Sequence, residues 1–146
     1  MNEIINKRSF NVPVDILFKV WSQARHIKNW WGPDGFTNTF YEFDFSNGGH
    51  WRFTMHGPDG KDYENEIVFE IIKENELITL HHLSKPEYRA AFIFSANGAN
   101  SSSLVWKMIF ATDKAFEALK NIVPQKNEEN LNRLEAELEK IKYIDA

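Results

Sequence analysis

Five histidines are the side chains in this sequence best suited to metal or acid-base chemistry, and two of them, His50 and His56, share the stretch "GGHWRFTMHGPDG" at 48–60. The stretch alternates with a period of two, which reads as a strand with Trp51, Phe53 and Met55 on one face and His50, Arg52, Thr54 and His56 on the other. Six residues of strand at about 3.3 Å each hold the two imidazoles close to 20 Å apart, whereas ligands of one zinc each lie about 2 Å from it. They cannot share an ion. His81 and His82 are sequential on a strand and face opposite sides. Of the two, His82 has the parity of Ile78 and Leu80 and is assigned to the inward face. His26 stands alone on a short helix. With no cysteine in the chain, disulfides, thiolate nucleophiles and cysteine-based zinc sites are excluded, and neither metal nor cofactor is expected. The glycines of "SNGG" and "GPDG" lack the strand-to-helix context and the lysine with which a Gly-rich loop cradles phosphate.

An inward His82 in apolar surroundings would have its charged form disfavoured and could serve as a general acid or base. A partner carboxylate is not visible, because Asp44, Glu64, Glu66 and Glu70 have outward parity or flanks. No catalytic residue is assigned. The same geometry suits binding. Trp31, Phe36, Trp51, Phe53, Met55, Tyr63, Phe92, Trp106 and Met108 would line an apolar wall, with Asn65 and His82 as the few polar contacts that orient a ligand.

The elements that must position these residues follow from periodicity. Residues 3–12 read as a first strand. Pro13 then opens a short helix whose Val14, Leu17, Phe18 and Trp21 keep the spacing of one helical face. A second helix over 25–30 presents Ile27, Trp30 and Trp31 before "GPDG" at 32–35 stops it. Six strands follow at about 36–45, 49–56, 62–73, 77–84, 88–96 and 102–111, joined by turn-forming clusters short enough to favour antiparallel hairpins. In the third of these, Tyr63, Ile67, Phe69 and Ile71 share a face into which Asn65 intrudes. The tail returns to helix near 113–122, interrupted by Pro124, and again over 127–143. Leu131, Leu134, Leu138 and Ile141 form the apolar stripe of the last helix. The pairs Glu129 with Arg133, Glu137 with Lys140 and Glu139 with Lys142 are expected on a solvated face.

A one-faced antiparallel sheet must be covered, and the last helix is the longest amphipathic cover. At 1.5 Å per residue it spans roughly 24 Å, too little for a sheet of this width with strands about 4.8 Å apart. Aromatic residues make up 14% of the chain, including 12 Phe and 5 Trp, more ring volume than a minimal core requires. A curled sheet would leave some of those rings facing a space open to a ligand. The expectation is an α+β protein, residues 1–146 forming one domain with a curved antiparallel sheet of about seven strands around a long C-terminal helix.

A net charge of −4 with scattered Lys and Arg lacks the basic stripe of a nucleic-acid binder. No secretory signal or membrane-length apolar run is present, so a cytoplasmic protein with no nucleic-acid or membrane partner is expected. An exposed edge strand leaves a homodimer possible.

The element order, together with "FNVPVDILFKVWSQARHIKNWWGPDGFTN", "GGHWRFTMHGPDGKDYENEIVFEII" and "NLNRLEAELEKI", resembles the START-like, polyketide-cyclase-like superfamily (SRPBCC). Within it the chain is similar to the branch named after the activator of the ninety-kilodalton heat-shock-protein ATPase. The resemblance covers roughly residues 4–142 and is most specific at "WWGP" and "WRFTMHGPDG". It implies a helix-grip fold with a deep hydrophobic cavity between sheet and last helix, and no shared catalytic set. Three functions follow as expectations: binding of a small apolar or aromatic molecule, cavity catalysis by a cyclase, isomerase or hydrolase using a pocket His or Tyr, or stimulation of a chaperone ATPase.

Overall fold

The computed structural model describes the backbone of residues 2–144 and the side chains of residues 2–141. In chain order the elements are β1 (Glu3–Phe10), α1 (Val14–Ser22), α2 (Ala24–Trp30), β2 (Thr37–Phe43), β3 (His50–His56), β4 (Asp62–Lys73), β5 (Leu77–His82), β6 (Tyr88–Gly98), β7 (Ser101–Phe110), α3 (Asp113–Leu119) and α4 (Val123–Ile144). The strands form one seven-stranded antiparallel sheet in the order β1-β7-β6-β5-β4-β3-β2. β2 to β7 are a meander of hairpins, and β1 closes its far side against β7 with Asn6 opposite Trp106. This is the α+β helix-grip arrangement expected from the sequence.

Three local features depart from the expectation. Pro124 lies in the first turn of α4, where its missing N–H interrupts no helical bond, so it opens the helix instead of breaking it. In β4 the register slips between Phe69 and Ile71. That bulge turns Ile71 outward, 45% exposed, while Ile72 takes its place against the core. Finally, α4 is not the only substantial cover. It lies against β1, α1 and α2, and the first two helices bury Leu17, Val20, Trp21, Ile27 and Trp30 over the rest of the concave face.

Two polar seams hold α4 in place. On one side Arg8 of β1 donates to Glu128 (2.8 Å), Asn132 (2.8 Å) and Glu135 (3.1 Å). Asn6 donates to Glu128 at 2.8 Å and accepts from Asn127 at 3.0 Å. The bond from Asn6, then Arg8, lowers the Glu128 pKa. The contribution of Glu128 to stability is therefore present above the ordinary carboxylate range and is lost as pH falls through the lowered value.

On the other side Asn130, Arg133 and Glu137, spaced as one helical stripe, read the end of α2. The Arg133 guanidinium donates to the carbonyls of Asn29 (3.0 Å), Gly32 (2.9 Å) and Pro33 (3.0 Å), with Trp31 O at 3.4 Å. Asn130 donates to Trp30 O at 2.7 Å and accepts from Gly32 N–H at 3.2 Å. Carbonyls left unsatisfied at a helix C-terminus attract a cation, which is why Arg133 turns here and not to Glu129. Glu129 instead accepts from the Asp34 N–H and meets Lys126. Glu137 keeps Lys140 at 3.8 Å but is buried, with His26 Nδ1 at 2.9 Å and Asn29 Nδ2 at 3.3 Å. The Lys142 side chain of the third expected pair lies outside the described residues.

Gly32 makes this seam possible. Its φ is +104°, a conformation that favours glycine, and a Cβ there would also press on Met55 Cε at 2.8 Å and Phe36 Cβ at 3.1 Å.

Replacing Arg133 with Gln is expected to lower the unfolding free energy by about 1.5–3 kcal/mol, the range for hydrogen bonds to a charged group. Urea unfolding checks this: the midpoint falls while the denaturant slope stays unchanged.

Candidate functional site

The register places the alternating inward residues in rows across the concave face. One row runs Trp51, Ile67, His82, Tyr88 and Phe110, and another runs Phe69, Leu80, Ala90, Met108 and Ile4. Phe53 faces Asn65 and Met55 faces Tyr63 across β3 and β4.

The candidate wall residues divide into two groups. Trp31, Trp51, Phe53, Phe92 and Trp106 close on one another: Trp51 with Phe53 at 4.4 Å between ring centres, Trp31 with Trp51 at 5.2 Å, Phe92 with Trp106 at 5.1 Å, and Trp31 with Trp106 at 5.8 Å. None is more than 5% exposed. Trp21 of α1 sits at the centre of this cluster, in ring contact with Trp30, Trp31, Trp51, Phe69 and Phe92. Its helical spacing indicated an inward face but not that it would reach the strand rings.

Phe36 and Tyr63 pair at 6.0 Å, and Tyr63 is 45% exposed, so this pair sits at the rim. Met55 is half-buried beneath Gly32. Met108 is buried and receives the Asn127 amide at its sulfur, 3.3 Å.

The polar residues meet. His82 is buried, and its Nε2 lies 2.6 Å from Asn65 Oδ1 while its Nδ1 lies 2.9 Å from Pro86 O. The imidazole stacks on Tyr88 at 4.5 Å and 12°. Asn65 in turn donates to Tyr63 O at 3.0 Å. Both ring nitrogens thus face carbonyl-type oxygens, and only the imidazolium can donate to both. Burial opposes it and holds the His82 pKa below the ordinary imidazole value against the raising effect of the Pro86 and Ser84 backbone. In the neutral ring Nδ1–H donates to Pro86. Asn65 must then rotate its amide or yield to another donor at Nε2.

The ring cluster itself holds further donors. The indole N–H groups of Trp51 and Trp106 are buried without an acceptor, as is that of Trp21. An unsatisfied buried donor costs about 1–3 kcal/mol, so an acceptor from a guest molecule would be worth more here than at the surface.

The remaining histidines take separate partners. His50 meets Glu66 at 3.0 Å, His56 meets Asp62 and Thr39 at 2.7 Å each, and His81 meets Glu87 at 2.7 Å. These are outward residues of the convex face. Among the described residues no group of three His, Asp or Glu side chains gathers to hold a metal. The buried carboxylate–imidazole pair of the structure is His26 with Glu137, far apart in sequence. Nothing in the local pattern of either helix signals it.

α3 is linked to the polar pair through rings: Phe116 meets Phe110, and Phe110 meets Tyr88, on which His82 stacks. The Thr112 hydroxyl accepts from Ala115 N–H to begin it, and none of its own residues is buried. Ala115, Phe116 and Leu119 rest against the core, with Phe116 touching Phe110 of β7 at 6.4 Å.

Residues 11–139 match the family described as Activator of Hsp90 ATPase homolog 1-like protein. The chain belongs to this family. Its fold is shared by several solved structures. A protein from Arthrobacter aurescens is 17% identical with a TM-score of 0.87, covering 94% of this chain and 86% of that one. A protein from Nitrosomonas europaea is 14% identical at 0.83, with 94% of each chain covered. The AHSA1 protein from Silicibacter pomeroyi is 21% identical at 0.75, covering 93% and 96%. No curated protein matches the chain. Among the described residues no helix is long and apolar enough to cross a membrane.

The oxygens around His82 set a test. Asn65→Asp, placing a carboxylate where the amide now stands, should raise the imidazole pKa by roughly one to three units. Titration of the His82 ring by NMR checks it. Wild type should remain neutral to a lower pH than an ordinary histidine, and the variant should reverse that order.

Proposed function

We propose that the concave face of β3–β6 beside α3 binds a small apolar or aromatic molecule that carries one hydrogen-bonding group. The observation that carries this reading is the pairing of buried His82 with half-buried Asn65: two polar side chains brought together on an otherwise apolar face, with oxygens opposite both imidazole nitrogens. Such sparse polar contacts in an aromatic surround fix the orientation of a ligand. The ring cluster of Trp31, Trp51, Phe92 and Trp106 is closed on itself and must part to form the inner wall, with Met55, Tyr63 and Phe36 at the rim and α3 the side most easily displaced.

The buried indole N–H groups support the same reading, since they offer donors to a ligand acceptor while Asn65 Oδ1 and His82 Nε2 offer acceptors. A phenolic hydroxyl can donate to His82 Nε2 or Asn65 Oδ1 and accept one hydrogen bond in return. Membership of the family and the helix-grip fold are consistent with a binding role. His82 has carbonyl oxygens and no carboxylate at its ring nitrogens, which favours orientation of a ligand over proton transfer.

2-Naphthol, a neutral aromatic with one hydroxyl, is the probe. Its fluorescence should change saturably on titration with the protein, and the indole N–H resonances of Trp51 and Trp106 should shift with the same saturation. His82→Ala should weaken binding about tenfold, or ~1.4 kcal/mol. A non-saturating response, or equal affinity in wild type and variant, would rule the site out.

A further inference from the structure

A surface depression also runs along α3. A groove of about 700 Å³ runs between the β5–β6 loop and α3, lined by Leu83, Lys85, Pro86 and Glu87 on one bank and by Ala111, Thr112, Lys114, Ala115 and Ala118 on the other. Its floor is apolar. Leu83, an aliphatic side chain, is 43% exposed there.

The charges on its banks are unequal. Glu87 points its carboxylate to His81 Nε2 at 2.7 Å, and the nearby Glu117 is held by Lys120 at 2.7 Å. Lys85 and Lys114, one on each bank, have no hydrogen-bond or ion-pair partner among the described residues. In a chain of net charge −4, two free ammonium groups flanking an apolar trough are a local reversal of sign.

We propose that this groove binds a free aliphatic carboxylate, its chain along Leu83, Pro86, Ala115 and Ala118 and its head between Lys85 and Lys114. Size and charge together select this occupant. The volume is that of a small-molecule site, roughly 300–1,000 Å³. Nine residues line it, well short of the roughly 20–30 per side of a protein interface. Two lysines are also fewer than the roughly four to eight that hold a segment to an anionic lipid surface. An alkyl chain fits the apolar floor, and one anionic head fits two cations that no protein group neutralises.

The groove adjoins the concave-face site at Pro86, whose carbonyl meets His82, but its occupant and its charged contacts differ, and each reading can fail alone. Sodium dodecanoate below its micellar concentration, titrated into the whole protein with labelled Ala and Leu methyls, reads it out. The methyl signals of Leu83, Ala115 and Ala118 should shift saturably. Lys85→Gln combined with Lys114→Gln should weaken dodecanoate at least fivefold while leaving the remaining methyl spectrum unchanged, since both lysines are exposed. Dodecanol should bind wild type and the double variant alike. Equal dodecanoate affinity in wild type and variant would overturn the proposal. So would shifts confined to the Trp51 and Trp106 indoles, or binding seen only to vesicles of anionic phospholipid.

Discussion

The structure depends on one cation, the Arg133 guanidinium, set among the carbonyls that end α2. Those carbonyls have lost their helical partners, and the chain must turn at once through Gly32 and Pro33 to start β2. Arg133 and Asn130 satisfy the oxygens from outside the segment and so fix where α2 stops relative to α4. That placement in turn fixes Trp30 and Trp31. Trp30 donates its indole N–H to Val20 O at 3.0 Å and locks α1 to α2. Trp31 is left to point down between Trp51 and Trp106. The aromatic core is thus assembled by a polar contact at its edge.

The core so formed is asymmetric in what it leaves undone. At the α1–α2 end, rings meet edge to face, Phe18 against Phe94 at 5.1 Å and Phe45 against Phe69 at 5.1 Å, and the buried His26 has a carboxylate partner in Glu137. Toward α3 the same sheet face carries Asn65 and His82, and the packing cost there is electrostatic. Burial favours a neutral imidazole while the two oxygens about it favour a charged one. A site in that condition responds to any donor brought to Nε2. The indole donors of Trp51 and Trp106 pose the complementary demand.

Much of this was legible in the sequence because strand parity is a hard constraint: one residue of slip would expose every ring of β3 at once. Trp51, Phe53 and Met55 inward, His50 and His56 outward, and His82 inward all follow from counting by two. The count fails at the β4 bulge, where Glu70 and Ile71 together face solvent and parity restarts at Ile72. Nothing in "FEII" marks the slip. Helical charges were misjudged for a different reason. Glu129, Arg133 and Glu137 have the spacing of a solvated face, and only the arrival of α2, about a hundred residues earlier in the chain, makes Arg133 and Glu137 structural. Long-range partners of polar side chains carry no local signature, and the pairing of Asn65 with His82 was equally unreadable although each residue was singled out.

The division of labour among the helices explains why the α3 end is the place for function. α4 is clamped along both flanks, by Arg8 and Asn6 on one side and by Arg133, Asn130 and Glu137 on the other, so it cannot shift without breaking charge-assisted bonds. α1 and α2 are anchored by fully buried rings. α3 has neither kind of anchor: its hydroxyl cap at Thr112 and the side chains of Ala115, Phe116 and Leu119 are what hold it. The least costly displacement in the helical layer is therefore that of α3, which rests on Phe110, and Phe110 leads through Tyr88 to His82, so the physical weakness of α3 is linked to the polar frustration by a short chain of rings.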